Sequence, residues 1–429
     1  MNDFNLCVQI EINGIFEKVG MLSGTSSQDA CFSYDRTYLE KKEARPISIN
    51  LHLSEEKFSP EETRTFFEGL LPGGFYRRQI MESLQIEEDD YISILKILGK
   101  ECLGAIVITD ESEKKIESNY EQIDLKDLDF NKTISAVKLS DLQDTHLSVN
   151  GACKKISLYF DSKNNKWYQP NGSDPGNYIM KFCNDIYEDL SVNEQLCLLA
   201  AKRLGIEIPE SFILKVKNKS FRPTILFASK RYDRIIDQNS RYIGELPVPY
   251  RLHQEDFAQA LGIPLSQKYE PEGKHYLKSM FDVLRLHSSN SSEDMTRLWK
   301  MCVFNFFIGN TDNHIKNFSL VYSKDLNSVR LAPFYDVSST LIYENISKKM
   351  AFRINHKVDS TKITKNDFKE ESRLIDFDEH QAMQIYDEIK DNLKTALYGS
   401  AEELESSGFM NAKNIAERIL TVMKRLINL

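Results

Sequence analysis

The chemically richest stretch of this chain is Gly309-Asn310-Thr311-Asp312-Asn313-His314-Ile315-Lys316-Asn317. Asp312 and Asn317 stand five residues apart in a loop that follows an apolar run. Phosphoryl transfer uses such a pair: a carboxylate accepts or orients the attacking hydroxyl's proton, and an amide oxygen five residues on binds the metal that neutralises phosphate charge. Gly309 and Asn310 permit a sharp loop ahead of them. Asp336 follows an apolar strand pair and is placed for a second metal-ligand role. Asp and Asn are also ordinary turn residues, favoured for local hydrogen bonding. Against that, Gly, Asn, Asp, His, Lys and Asn are concentrated in nine residues between an apolar helix and a strand, with Asp336 closing the hairpin, which favours the catalytic assignment.

The elements that must position this loop are legible around it. Met295, Leu298, Trp299, Cys302, Val303, Phe306 and Phe307 recur at helical spacings of three and four, so a helix packs its stripe into a core and delivers the chain to Gly309. A short β stretch is expected between Phe318 and Leu331, and otherwise helices dominate from Asp256 onward. Upstream, Leu6, Val8, Ile10 and Ile12 alternate up to Asn13-Gly14, a hairpin signal. Ser59-Pro60-Glu61-Glu62 predicts a capped helix running to Leu71, another helix covers about 89–98, and residues 105–109 read as a buried strand. Strands at 156–160, 167–169, 178–182, 212–216 and 224–229, with a helix from Ser191 to about Leu204, predict a small α+β lobe. Residues 110–145 are polar with little periodicity and read as a surface connection.

The chain has 429 residues, 41% apolar and 28% charged, which excludes collagen-like or largely disordered protein and predicts more than one substructure. The 55 Lys and Arg against 64 Asp and Glu leave a net charge of −9, unsuited to a surface built mainly to grip phosphate backbone or an anionic membrane. Seven widely spaced cysteines without a CxxC or Cys/His cluster argue against a disulfide framework or zinc site and for a reducing cytoplasm. No signal peptide and no uncharged apolar run of roughly 20 residues is present, so a soluble protein is expected.

Across nearly its whole length the sequence resembles the HipA family of serine/threonine kinases, toxins of bacterial toxin–antitoxin pairs. The similarity is carried by YDRTYL (34–39), FFEGLLPGG (66–74), LGKECLGAIVI (98–108), LSVNGACKKI (147–156), YIMKF (178–182), NEQLCLLAAKRLGIEIP (193–209), SKRYDR (229–234), RLHQEDFAQALG (251–262), GNTDNHIKNFSL (309–320) and LAPFYDVSS (331–339). It implies an α+β, bilobal, protein-kinase-like fold: an N-terminal coupling subdomain (1–110), a connection (111–145), a small nucleotide-binding lobe (146–250) and a helical C-terminal lobe (251–429). It further implies that Asp312 is the catalytic aspartate and that Asn317 and Asp336 hold magnesium. Lys181 would pair ATP phosphates, and Lys230-Arg231-Tyr232 would form the hinge that meets adenine. His314, Lys316 and Tyr335 would line the nucleotide pocket. Glu194 is either the partner of Lys181 or half of a capping box with Ser191.

The phosphate loop departs from the family pattern, close to S-x-x-G-A-Q-D/E-K. Here it reads Ser148-Val149-Asn150-Gly151-Ala152-Cys153-Lys154-Lys155, with Lys155 at the family's lysine position. Asn150, Gly151, Ala152, Cys153 and Lys154 are assigned to ATP with it, and Ser148 to regulatory autophosphorylation. The resemblance also implies a HipB-like helix-turn-helix antitoxin as partner, operator DNA reached mainly through it, and a bacterial cytoplasmic location. The protein substrate it implies is translation-related, an aminoacyl-tRNA synthetase, with glutamyl-tRNA synthetase the leading candidate. A small-molecule or lipid kinase, and a catalytically weak nucleotide-binding corepressor, are the alternatives. The basic segment from Lys348 to Lys365 is either a DNA-backbone contact or a solvated face.

Overall fold

The computed structural model describes residues 3–71, 77–78, 81–82, 85–87, 89–110, 119–127, 153–171, 174–183, 187–217 and 223–427. Ser148, Asn150, Gly151 and Ala152 lie outside these residues.

The chain opens with a four-stranded antiparallel sheet in the order β3 (Cys31–Tyr34), β2 (Ile15–Gly24), β1 (Phe4–Ile12), β4 (Ile106–Asp110). Asn13 and Gly14 both take positive φ, which the tight β1–β2 hairpin requires. Helix α1 (Pro60–Gly69) begins with the expected capping box: Ser59 accepts from the Glu62 N–H while the Glu62 carboxylate accepts from the Ser59 N–H. Helix α2 spans Tyr91–Leu98.

A six-stranded sheet forms the next layer, in the order β5 (Asn119–Ile123), β7 (Lys166–Asn171), β6 (Cys153–Asp161), β8 (Tyr178–Cys183), β10 (Thr224–Lys230), β9 (Ser211–Val216). Strand β5 corrects the expectation of a featureless connection. Its polar sequence offers only Tyr120 and Ile123 as apolar anchors, too weak an alternation to read as a strand. The helix α3 (Leu190–Arg203) packs on this sheet and buries Val192, Leu196 and Ala200.

In the remainder, α4 (Ser291–Ile308) buries Leu298, Trp299, Cys302, Val303, Phe306 and Phe307, and the Trp299 indole donates to the carbonyl of Ala382 in α5 (Glu379–Ser406). Gly309 caps α4 in the left-handed region (φ +68°), and a Cβ there would lie 2.6 Å from Val422 of α6 (Ala412–Leu426). Only glycine satisfies both conditions. A three-stranded sheet of β11 (Gln254–Asp256), β12 (Ser319–Tyr322) and β13 (Val329–Leu331) lies beside the loop that follows. Strand β11 was not expected, since three residues are too few to show a period.

The expectation about disulfides is corrected at one point: Cys153 and Cys183 are bonded. Strand pairing explains it, because β6 and β8 set these two residues directly opposite each other with their Cα atoms 4.1 Å apart. A separation of 30 residues in sequence conceals that register. In the basic segment, Arg353, Lys357 and Lys365 pair with Glu270, Asp367 and Asp387 at 2.7–2.9 Å, which accounts for much of its charge internally. Among the described residues, no helix is long and apolar enough to cross a membrane.

Candidate active site

The β6–β8 register that joins the cysteines also places Lys155 opposite Lys181, two residues along both strands. A pleat period of two therefore puts both lysines on the face that carries the bridge. They converge on Asp336: Lys155 Nζ stands 3.1 Å from Oδ2, and Lys181 bonds Oδ1. Lys181 Nζ also lies 2.6 Å from Glu194 Oε1. Glu194 is thus an ion-pair partner. The capping box with Ser191 does not form, because α3 starts at Leu190 and Ser191 Oγ bonds the carbonyl of Ile225.

This cluster is buried, and its electrostatics follow from that. Burial alone would push the Lys181 ammonium down, but Asp336 and Glu194 reverse the effect and hold it above its usual range. Burial opposes ionisation of Asp336, yet Lys155 and Lys181 draw its carboxyl well below the ordinary carboxylate range. Glu194, fully enclosed, is raised by burial despite Lys181. Asp336 adopts φ +58°, in the left-handed region that aspartate and asparagine enter more readily than other non-glycine residues.

The loop from Gly309 to Asn317 is braced by its own side chains. Asn310 Oδ1 accepts from the Asp312 N–H, and Asn317 Nδ2 donates to the Asp312 carbonyl at 2.9 Å. The second bond commits the amide nitrogen as donor to the loop backbone. Thr311 is tied to Thr340, so the loop is braced from outside as well. The Asp312 carboxylate accepts a hydrogen bond from Tyr269 at 2.6 Å. His314 stands edge-on to Tyr269, and burial holds its imidazole well below the usual value, hence neutral.

Other expected site residues point elsewhere. Lys316 bonds Asp256 at the end of β11. Lys154 lies over the Phe182 ring, 5.5 Å from its centroid, one pleat away from Lys155. The Cys153 sulfur is taken up by the bridge. Lys230 meets Glu210 near the surface, while Arg231 is buried against Asp233 and Glu101 at 2.8 and 2.7 Å. The Arg231 N–H and C=O serve Asn177 and Arg234. The third hinge residue, Tyr232, stacks on Tyr335 with centroids 5.7 Å apart.

Two features were not legible beforehand. Tyr269 sits in Gln267-Lys268-Tyr269-Glu270, a loop without a motif, and its contact with Asp312 depends on tertiary placement. The cluster of Glu101, Arg231, Asp233, Arg234 and Arg251 binds the first sheet's region to the hinge, and only its local element, Arg231-Tyr232-Asp233-Arg234, hints at it.

The six-stranded sheet with α3 against it and the largely helical remainder form a kinase-like fold. Residues 10–109 match the HipA N-terminal domain and residues 147–397 the HipA-like C-terminal domain. The chain belongs to the HipA family of serine/threonine kinase toxins. The serine/threonine-protein kinase toxin HipA of Shewanella oneidensis is 24% identical over 360 residues, covering 80% of this chain and 78% of its own. The Sinorhizobium fredii relative Y4mE is 29% identical over 348 residues, 79% of each chain. In structure, a chain of the Shewanella oneidensis complex of HipA, HipB and operator DNA aligns with a TM-score of 0.80 at 20% identity, covering 97% of both.

Proposed function

We propose that this protein transfers the γ-phosphate of ATP to a serine or threonine hydroxyl of a translation-related protein, with glutamyl-tRNA synthetase the leading candidate. The observation that supports it most is the buried Lys181 held between Glu194 and Asp336. In this reading Lys155 and Lys181 engage the phosphates, and Asp312 takes the hydrogen bond of the attacking hydroxyl. A divalent metal, magnesium, would be held by the Asp336 carboxylate and the Asn317 amide oxygen. The donor set fits, since both are hard oxygen ligands and Asp336 is kept ionised. When bound, the metal supplies charge neutralisation of the phosphates. The chain's own part is positioning and electrostatic stabilisation.

We further propose residues 1–110, 111–145, 146–250 and 251–429 as the functional divisions. Ser148 is the proposed site of self-phosphorylation, which would place a dianionic group beside Lys154 and Lys155 and relocate the phosphate loop. A HipB-like antitoxin would neutralise the enzyme in the cytoplasm and tether it to operator DNA.

The test is transfer of label from γ-labelled ATP in a cell lysate. A single labelled protein supports the proposal, labelled lipid contradicts it in favour of a lipid kinase, and no transfer leaves a nucleotide-binding corepressor. Self-modification predicts one phosphoryl group's added mass in the purified wild type and none in Asp312→Asn.

A further inference from the structure

Tyr269 brings three properties to the side of Asp312. Its hydroxyl donates to Oδ1 of Asp312 at 2.6 Å, its ring stands edge-on to His314 with centroids 5.5 Å apart, and the residue remains 39% exposed. The backbone on either side is pinned: the Lys268 carbonyl accepts from the Ile315 N–H, and the Glu270 N–H donates to the Ala351 carbonyl. Glu270 is held again by Arg353. With both neighbours fixed, the mobile part is the side chain, which leaves Asp312 by rotation about its own torsions.

The distance is that of a charge-assisted O–H···O⁻ bond, the interaction a serine or threonine hydroxyl must make with the same carboxylate before it attacks a phosphoryl group. The oxygen that accepts from a phenol here is of the kind that would accept from an aliphatic hydroxyl in phosphoryl transfer. We propose that Tyr269 is a gate on the acceptor subsite: its hydroxyl holds the place on Asp312 that the acceptor hydroxyl takes, and a protein acceptor displaces it. That role rests on the kinase activity proposed above. It assigns Tyr269 to acceptor selection, separate from the nucleotide, because a hydroxyl that cannot reach Asp312 and displace the phenol is not phosphorylated.

The test uses the full chain, γ-labelled ATP and a pooled serine/threonine peptide library as acceptor, with Tyr269→Phe compared to wild type. The variant keeps the ring and removes the competing hydroxyl, and its melting temperature checks the fold. The peptide KM is expected to fall about tenfold, the weight of one charge-assisted hydrogen bond no longer in competition, while the KM for ATP stays unchanged. A peptide KM that is unchanged or higher overturns the gate, and a lower kcat at constant peptide KM overturns it in favour of a positioning role. Wild type that labels neither peptide nor any protein of a cell lysate overturns the kinase activity and the gate together; if only a lysate protein is labelled, the same KM comparison is made with that protein as acceptor. An active wild type indifferent to the substitution overturns the gate alone.

Discussion

Lys181 Nζ lies 2.6 Å from Glu194 Oε1, inside a pocket where both side chains are almost fully enclosed. The same ammonium bonds Asp336 on the opposite lobe. A single cation therefore joins the six-stranded sheet, the helix α3 and the residue proposed to hold metal. Taking one partner from a buried charge cluster leaves the others uncompensated, which costs more than an intact pair contributes.

Replacing Lys181 with Met should lower kcat/KM for phosphoryl transfer by about a hundredfold or more, since an electrostatic contact to the transferred group is lost. Glu194→Gln keeps an acceptor for the ammonium but loses its charge, and a smaller loss of about tenfold is expected. Steady-state transfer assays, with circular dichroism to confirm the fold, check both. A reversed order would show that Glu194 does more than hold Lys181.

The bridge between Cys153 and Cys183 closes a loop with a sequence separation of 30 residues. Constraining the unfolded chain over such a loop stabilises by about 3 kcal/mol. Reduction with dithiothreitol should move the denaturation midpoint of the wild type downward and leave Cys153→Ser/Cys183→Ser unmoved. Equal midpoints with and without reductant in the wild type would contradict this.

Stability should also depend on pH through Glu255. Burial raises its carboxyl from 4.5 to about 7, outweighing the hydrogen bonds donated by Ser48, Tyr322 and the Ile49 N–H. Below pH 4.5 the group is protonated in both folded and unfolded chains and has no effect. As pH rises from 4.5 to about 7 the unfolded chain loses this proton first, so Glu255 removes about 3 kcal/mol of stability over that interval and no more above it. Urea midpoints at pH 5 and pH 7.5 measure the change, and Glu255→Gln should reduce the difference.

Local chemistry made much of the site readable. The loop from Gly309 to Asn317 announces itself because a helix stripe, a glycine cap and a dense polar run are contiguous, and the chain folds there as its residues dictate. Helix α1 was equally plain, its cap being written in four consecutive residues. What stayed hidden depends on register and on contacts distant in sequence. Cys153 meets Cys183, and Tyr269 meets Asp312, only once strands and lobes are assembled. Strands β5 and β11 are polar or three residues long, too little for a period of two to emerge. Lys316 bonds Asp256 on β11, a contact between residues sixty positions apart that the sequence does not display.

Asp312 is proposed to serve the attacking hydroxyl, and the rate of phosphoryl transfer by Asp312→Asn under saturating ATP tests that role most directly. The amide oxygen can still accept from Tyr269, so the loop should keep its geometry while the charge is lost. Transfer is predicted to fall about a thousandfold, within the range a positioned acid or base supplies, with ATP binding retained. A rate within a few-fold of wild type would contradict the account.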